Sequence, residues 1–136
     1  MIILDTSFII SYFNERDENH LASIELMKEL ADLKFGPLHI TDYIFDEVVT
    51  VSFVRLKNLR KAVEIGNHLL RALKILEVEK SDFDRAWNLF RKQKDTDFSF
   101  TDCTTLSIMH ENEIGNIATF DEDFLTIKSI NAIGLT

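Results

Sequence analysis

Four carboxylates, Asp5, Glu47, Asp102 and Asp121, stand at or just beyond the ends of apolar runs and are spread over the chain. Asp5 follows Ile2-Ile3-Leu4 directly, and Asp121 follows Ile117-Ala118-Thr119-Phe120. In an open α/β sheet, ligands bind beyond the carboxyl ends of the strands. Two acids at strand ends, joined by two from helices reaching the same rim, would gather negative charge at one place. Carboxylates that close cannot all stay ionised unless a cation balances them or one takes up a proton. Oxygen donors of this kind favour a hard divalent metal.

Each acid also has a plainer reading. Asp5 precedes Thr6 and Ser7 and could simply cap a first helix. Asp102, behind Phe100-Thr101, could serve the dipole of another. Glu47 lies between Phe45 and Val48, and an acid buried there needs a partner or a ligand. Its neighbour Asp46 points about 100° round the helix, toward solvent. Asp121, Glu122 and Asp123 follow one strand together, which a loop or a cap explains less readily.

The elements that must position these acids can be read from hydrophobic spacing. Short apolar runs predict strands over 2–4, 38–40, 75–78, 117–119 and 132–135. They do not alternate, as expected of strands buried on both faces of a parallel sheet. Helical spacing covers 20–34, 42–56, 59–74, 82–93 and 102–113, with Thr41, Ser81 and Thr101 placed as N-caps. In 59–74 the apolar face is Leu59, Val63, Leu69, Leu70 and Leu73; in 82–93 it includes Trp87. The alternation predicts a three-layer α/β/α sandwich around a parallel sheet of four to five strands, in a single domain over 1–136. The polar stretch 91–100 reads as a loop leading into Asp102.

Composition narrows the field. No apolar run approaches the ~20 residues of a membrane span. The one cysteine, Cys103, excludes an intramolecular disulfide and a cysteine zinc site, so the cytoplasm is the expected location. The net charge of −8 argues against a nucleic-acid partner, but it is uneven. Over 15–32 six acids meet two bases; over 55–74 six bases meet one acid. A basic helix there could face a phosphate backbone, or be merely solvated.

Taken in order, Ile2-Ile3-Leu4-Asp5-Thr6-Ser7, Thr41-Asp42-Tyr43-Ile44-Phe45-Asp46-Glu47-Val48, Phe100-Thr101-Asp102-Cys103 and Ala118-Thr119-Phe120-Asp121-Glu122-Asp123-Phe124 resemble the PIN-domain family. Within it the chain looks most like the VapC-type toxin ribonucleases. The resemblance implies that Asp5, Glu47, Asp102 and Asp121 bind one or two Mg²⁺ or Mn²⁺ ions. It makes Asp123 a second, more variable acid, and Thr6 and Thr119 supporting hydroxyls. It further implies an RNA substrate cut to a 5′-phosphate and a 3′-hydroxyl, a homodimer, and an antitoxin whose tail fills the acidic groove. Arg55, Lys57, Arg60 and Lys61 offer one basic face for RNA, and Lys92 and Lys94 another, nearer Asp102.

Other readings weigh less. A PIN-like domain kept for protein interaction without catalysis would not need four intact acids. A receiver domain would want paired acids at its first strand and a lone lysine after the last inner one. His20, His39, His68 and His110 show no metal spacing, Cys103 has no local histidine, and no glycine-rich phosphate loop is present.

Overall fold

The computed structural model describes residues 1–135. Five short strands, β1 (Ile2–Leu4), β2 (Leu38–Thr41), β3 (Lys74–Leu76), β4 (Asn116–Ala118) and β5 (Asn131–Ile133), form one sheet in the order β3-β2-β1-β4-β5. Every pairing is parallel. Six helices connect and cover them: α1 (Thr6–Phe13), α2 (His20–Ala31), α3 (Asp42–Leu56), α4 (Leu59–Ala72), α5 (Lys80–Lys92) and α6 (Phe100–Glu111). A 3₁₀ turn spans Glu122–Thr126. Ile2, Ile3 and Leu4 are all buried, which is why the central strand reads as an unbroken apolar run.

From β1 the chain builds outward through β2 to β3, then returns to β1's other side as β4 and β5. The reversal lies between β1 and β4, and the crevice beyond their carboxyl ends is where such sheets bind ligands. Pairing continues past both strands: the Asp5 amide donates to the Ala118 carbonyl at 2.9 Å, and Thr119 N to Ile133 O at 3.0 Å.

The helix spans match the periodic segments, but two faces are rotated. On α4 the core stripe is Ala62, Ile65, Gly66 and Leu69, while Leu59, Val63 and Leu70 are exposed. Gly66 explains the rotation, because it lets α4 approach α3: a Cβ there would lie 3.2 Å from Val49 Cγ1. On α5 Ala86 and Asp82 turn inward, leaving Trp87 53% exposed and stacked on Phe90 at 5.9 Å.

Of the three expected caps, one stands at a helix start. Thr41 caps α3 as expected, its Oγ1 accepting from Ile44 N. Ser81 and Thr101 lie inside helices that begin earlier, because reciprocal pairs set the starts: Glu79 with Asp82, and Ser99 with Asp102. The third strand stops at Leu76, and Val78 N instead donates to Asp42 Oδ1. The last strand stops at Ile133, where Gly134 turns the chain with φ of 109°.

A Cβ at Gly134 would meet the Thr119 carbonyl oxygen at 2.8 Å, in a backbone conformation that other residues rarely adopt. Gly134→Ala should cost about 1–3 kcal/mol in urea unfolding. Gly115→Ala, with nothing within 4 Å of its Cβ, should leave the midpoint nearly unchanged. Equal effects at the two sites would contradict this account of the β5 end.

Candidate active site

Asp5 occupies the N-cap position of α1 but caps nothing with its side chain. Its Oδ2 accepts instead from Ser7 Oγ at 2.9 Å and Thr119 Oγ1 at 2.8 Å. Those two hydroxyls work in both directions. Ser7 Oγ accepts from Phe120 N, and Thr119 Oγ1 accepts from Asp121 N, each at 3.0 Å. The end of β1, the start of α1 and the segment after β4 are thereby locked together. Burial pushes the Asp5 carboxyl up to about 6, against the pull of both hydroxyls, and the charge of Asp121 adds to the rise.

Asp102 enters from α6. Its Oδ2 accepts from Ser99 N at 2.9 Å, and Ser99 Oγ accepts from Asp102 N at 3.0 Å, which fixes the carboxylate at the helix opening. Burial raises it to about 7, with the charge of Asp5 the next cause and Asp121 a smaller one. Asp121 caps the 3₁₀ turn through Asp123 N. Glu47, half-buried on α3, completes the ring: Asp5, Glu47, Asp102 and Asp121 all line one pocket of ≈ 430 Å³.

A family model for the PIN domain matches residues 2–129. The chain belongs to the PIN-domain family. The 23S rRNA-specific endonuclease VapC20 of Mycobacterium tuberculosis is 24% identical over 124 residues, covering 91% of this chain and 92% of that protein. The crystal structure of the same organism's VapC20, described as a sarcin–ricin loop cleaving toxin, superposes with a TM-score of 0.83 over 94% of this chain and 95% of that one. VapBC2 from Rickettsia felis, bound to a DNA fragment from its promoter, gives 0.69 at 16% identity, with 97% of each chain covered.

The pocket of this PIN domain fits a hard cation by its donor chemistry, since every candidate ligand is an oxygen and, after burial, neighbouring acid charge raises Asp5 and Asp102 further. Thr6, also in its lining, has the only buried side-chain polar atom without a hydrogen-bond partner among the described residues, its Oγ1. Among those residues no three acids or other ligand types already stand close enough to hold one ion by themselves.

The structure separates the remaining candidates. Asp123 does not line the pocket; its carboxylate accepts from Asp97 N at 2.7 Å and anchors the loop ahead of α6. Arg55 does line it. Lys57 forms the left-handed end of α3, Arg60 pairs with Glu64 in solvent, and Lys61 is exposed on α4. Lys92 and Lys94 border a larger, mostly apolar cavity of ≈ 990 Å³ beside α6, which contains none of the four acids. Chemistry therefore points to the smaller cavity. Cys103 opens toward the larger one, and burial with the adjacent Asp102 pushes its thiol up to about 11, so it is a poor nucleophile.

Ser7 and Ser99 are the functional side chains that sequence reading passed over. Ser99-x-x-Asp102 is a legible capping pair, whereas the bond from Ser7 to Phe120 joins residues 113 apart.

Both carboxyls titrate above their ordinary value, so the metal-free folded protein holds protons that the unfolded chain has released. That stabilisation is complete below about pH 4 and is lost as pH rises through 6 to 7. In EDTA the urea midpoint should therefore fall between pH 5 and 7.5. Asp102→Asn should recover on the order of 1–2 kcal/mol at pH 7.5 and little at pH 4. A variant declining as steeply as wild type would refute the assignment.

Proposed function

We propose that this PIN domain is a divalent-metal-dependent endoribonuclease serving as the toxin of a toxin–antitoxin pair. The observation that carries this reading is the convergence of Asp5, Glu47, Asp102 and Asp121, from four separate elements, on one pocket. The likeness to an rRNA endonuclease over 91% of the chain supports RNA as the substrate. The likeness in fold to a toxin–antitoxin complex from Klebsiella pneumoniae, at 16% identity and a TM-score of 0.69, supports an antitoxin partner.

Asp5 and Asp102 would be the central ligands for Mg²⁺ or Mn²⁺, with Asp121 serving a second ion and Asp123 bracing it from behind. When bound, such ions lower the pKa of an attacking water and neutralise charge growing on the phosphate. The chain's own part is positioning. Ser7 and Thr119 hold Asp5 in one orientation, and Ser99 does the same for Asp102. Glu47, half-buried in the same lining, would complete the first site or orient the attacking water. Hydrolysis would leave a 5′-phosphate and a 3′-hydroxyl. Exposed Phe53, Val54, Leu59 and Val63 on α3 and α4 supply apolar surface for the antitoxin or for a second copy of the chain.

The test is cleavage of end-labelled RNAs by purified, antitoxin-free protein in Mg²⁺, Mn²⁺ or EDTA. A sarcin–ricin hairpin, a tRNA and an unstructured oligomer make a suitable panel. Cutting should require metal and fall at least ~100-fold in Asp5→Asn. Thr119→Val, which removes a hydroxyl orienting Asp5, should lose about 10–100-fold. Folded protein that binds partner proteins but no metal and cuts none of the three would favour an interaction module instead.

A further inference from the structure

We infer that Arg55 grips a phosphate of the RNA strand away from the bond being cut, and so fixes how the strand lies in the pocket. The inference rests on the ribonuclease reading above. Glu47, Val51 and Arg55 are spaced four residues apart on α3, so they share one stripe of the helix, and all three line the acidic pocket. At 1.5 Å per residue the Arg55 backbone lies about 12 Å farther along that stripe than Glu47. Along α3 the lining thus runs from the Glu47 carboxylate near the helix opening to Arg55 in its last turn.

Arg55 is the only cationic side chain in this lining, whose other charged members are Asp5, Asp17, Glu47, Asp102 and Asp121. Were it there to neutralise those acids, it would lie within ion-pair distance of one. Among the described residues it makes no salt bridge and no side-chain hydrogen bond. It is exposed at the rim, with its planar fork of donors free. A phosphate is the ligand such a fork matches, through two parallel charged hydrogen bonds. Val51, between the two ends, offers an apolar surface for a sugar or base.

A protein of net charge −8 repels a polyanion over most of its surface. One fixed cation beside the acids therefore restricts the strand to paths that put a phosphate on it. None of the other five basic candidates lines this groove.

Two measurements test this with fluorescein-labelled RNA, the sarcin–ricin hairpin and a single-stranded dodecamer. The first is the split between KM and kcat for Arg55→Ala in the active protein. The second is Kd and its salt dependence in an Asp5→Asn background with Mg²⁺, where nothing is cut. Arg55→Ala should raise KM and Kd about tenfold, with the loss falling on KM rather than kcat. It should lower the slope of log Kd against log salt by about 0.7, the value for one phosphate on a single strand. Arg55→Lys should restore the slope and only part of the affinity, and Lys128→Ala, at an exposed lysine between the 3₁₀ turn and β5 outside this lining, should resemble wild type.

If Arg55→Ala cuts and binds as wild type does, this inference fails while the nuclease stands. A fall in kcat with a shifted Mg²⁺ requirement would make Arg55 a tuner of the metal site and overturn the phosphate role. Wild-type protein that neither cuts nor binds either RNA would remove the ribonuclease reading and this inference together.

Discussion

Asp5 is buried, and two hydroxyls, Ser7 close by in the chain and Thr119 far along it, hold its carboxylate in place. A carboxylate leaving water loses its hydration, and neighbouring acids add repulsion to that loss. The surroundings answer with donors rather than with a basic partner. A lysine or arginine beside Asp5 would neutralise it permanently and occupy the position a cation or phosphate needs. Hydroxyls hold the oxygen without cancelling its charge. The same device recurs at Asp102, where a backbone amide and a serine do the fixing.

Much of this was legible because the physics is local or periodic. Unbroken apolar runs located all five strands, and the position of Asp5 and Asp121 just past two of them located the rim. The helical faces of α4 and α5 were misjudged for a shared reason. Their sequences carry more apolar residues than the core accommodates, so composition marked a helix without marking its inner side. Gly66 decides the orientation of α4 by permitting a close approach, and nothing in a one-dimensional pattern weights a glycine that heavily. The basic residues show the same limit. Six lysines and arginines looked equivalent along the chain, and only the path of α3 singles out Arg55.

The acidic pocket also accounts for a puzzle of composition. An excess of negative charge is a poor starting point for a protein that handles RNA. On the proposed reading, a divalent ion held by these acids would offset their charge locally, whatever the net charge of the whole chain. The protein's total charge and the charge its substrate meets are then different quantities.

The central strand has a temporal consequence. β1 is made first, yet its partner β4 and the hydroxyl that secures Asp5 come 114 residues later. Contacts of such long sequence separation form late and slowly. While the chain is being synthesised, Asp5 stands without Thr119, and Asp121 does not yet exist. The four-acid pocket is therefore incomplete until the segment beyond β4 has emerged. The order of strands in the sheet acts as a delay on assembly of the pocket, written into the topology.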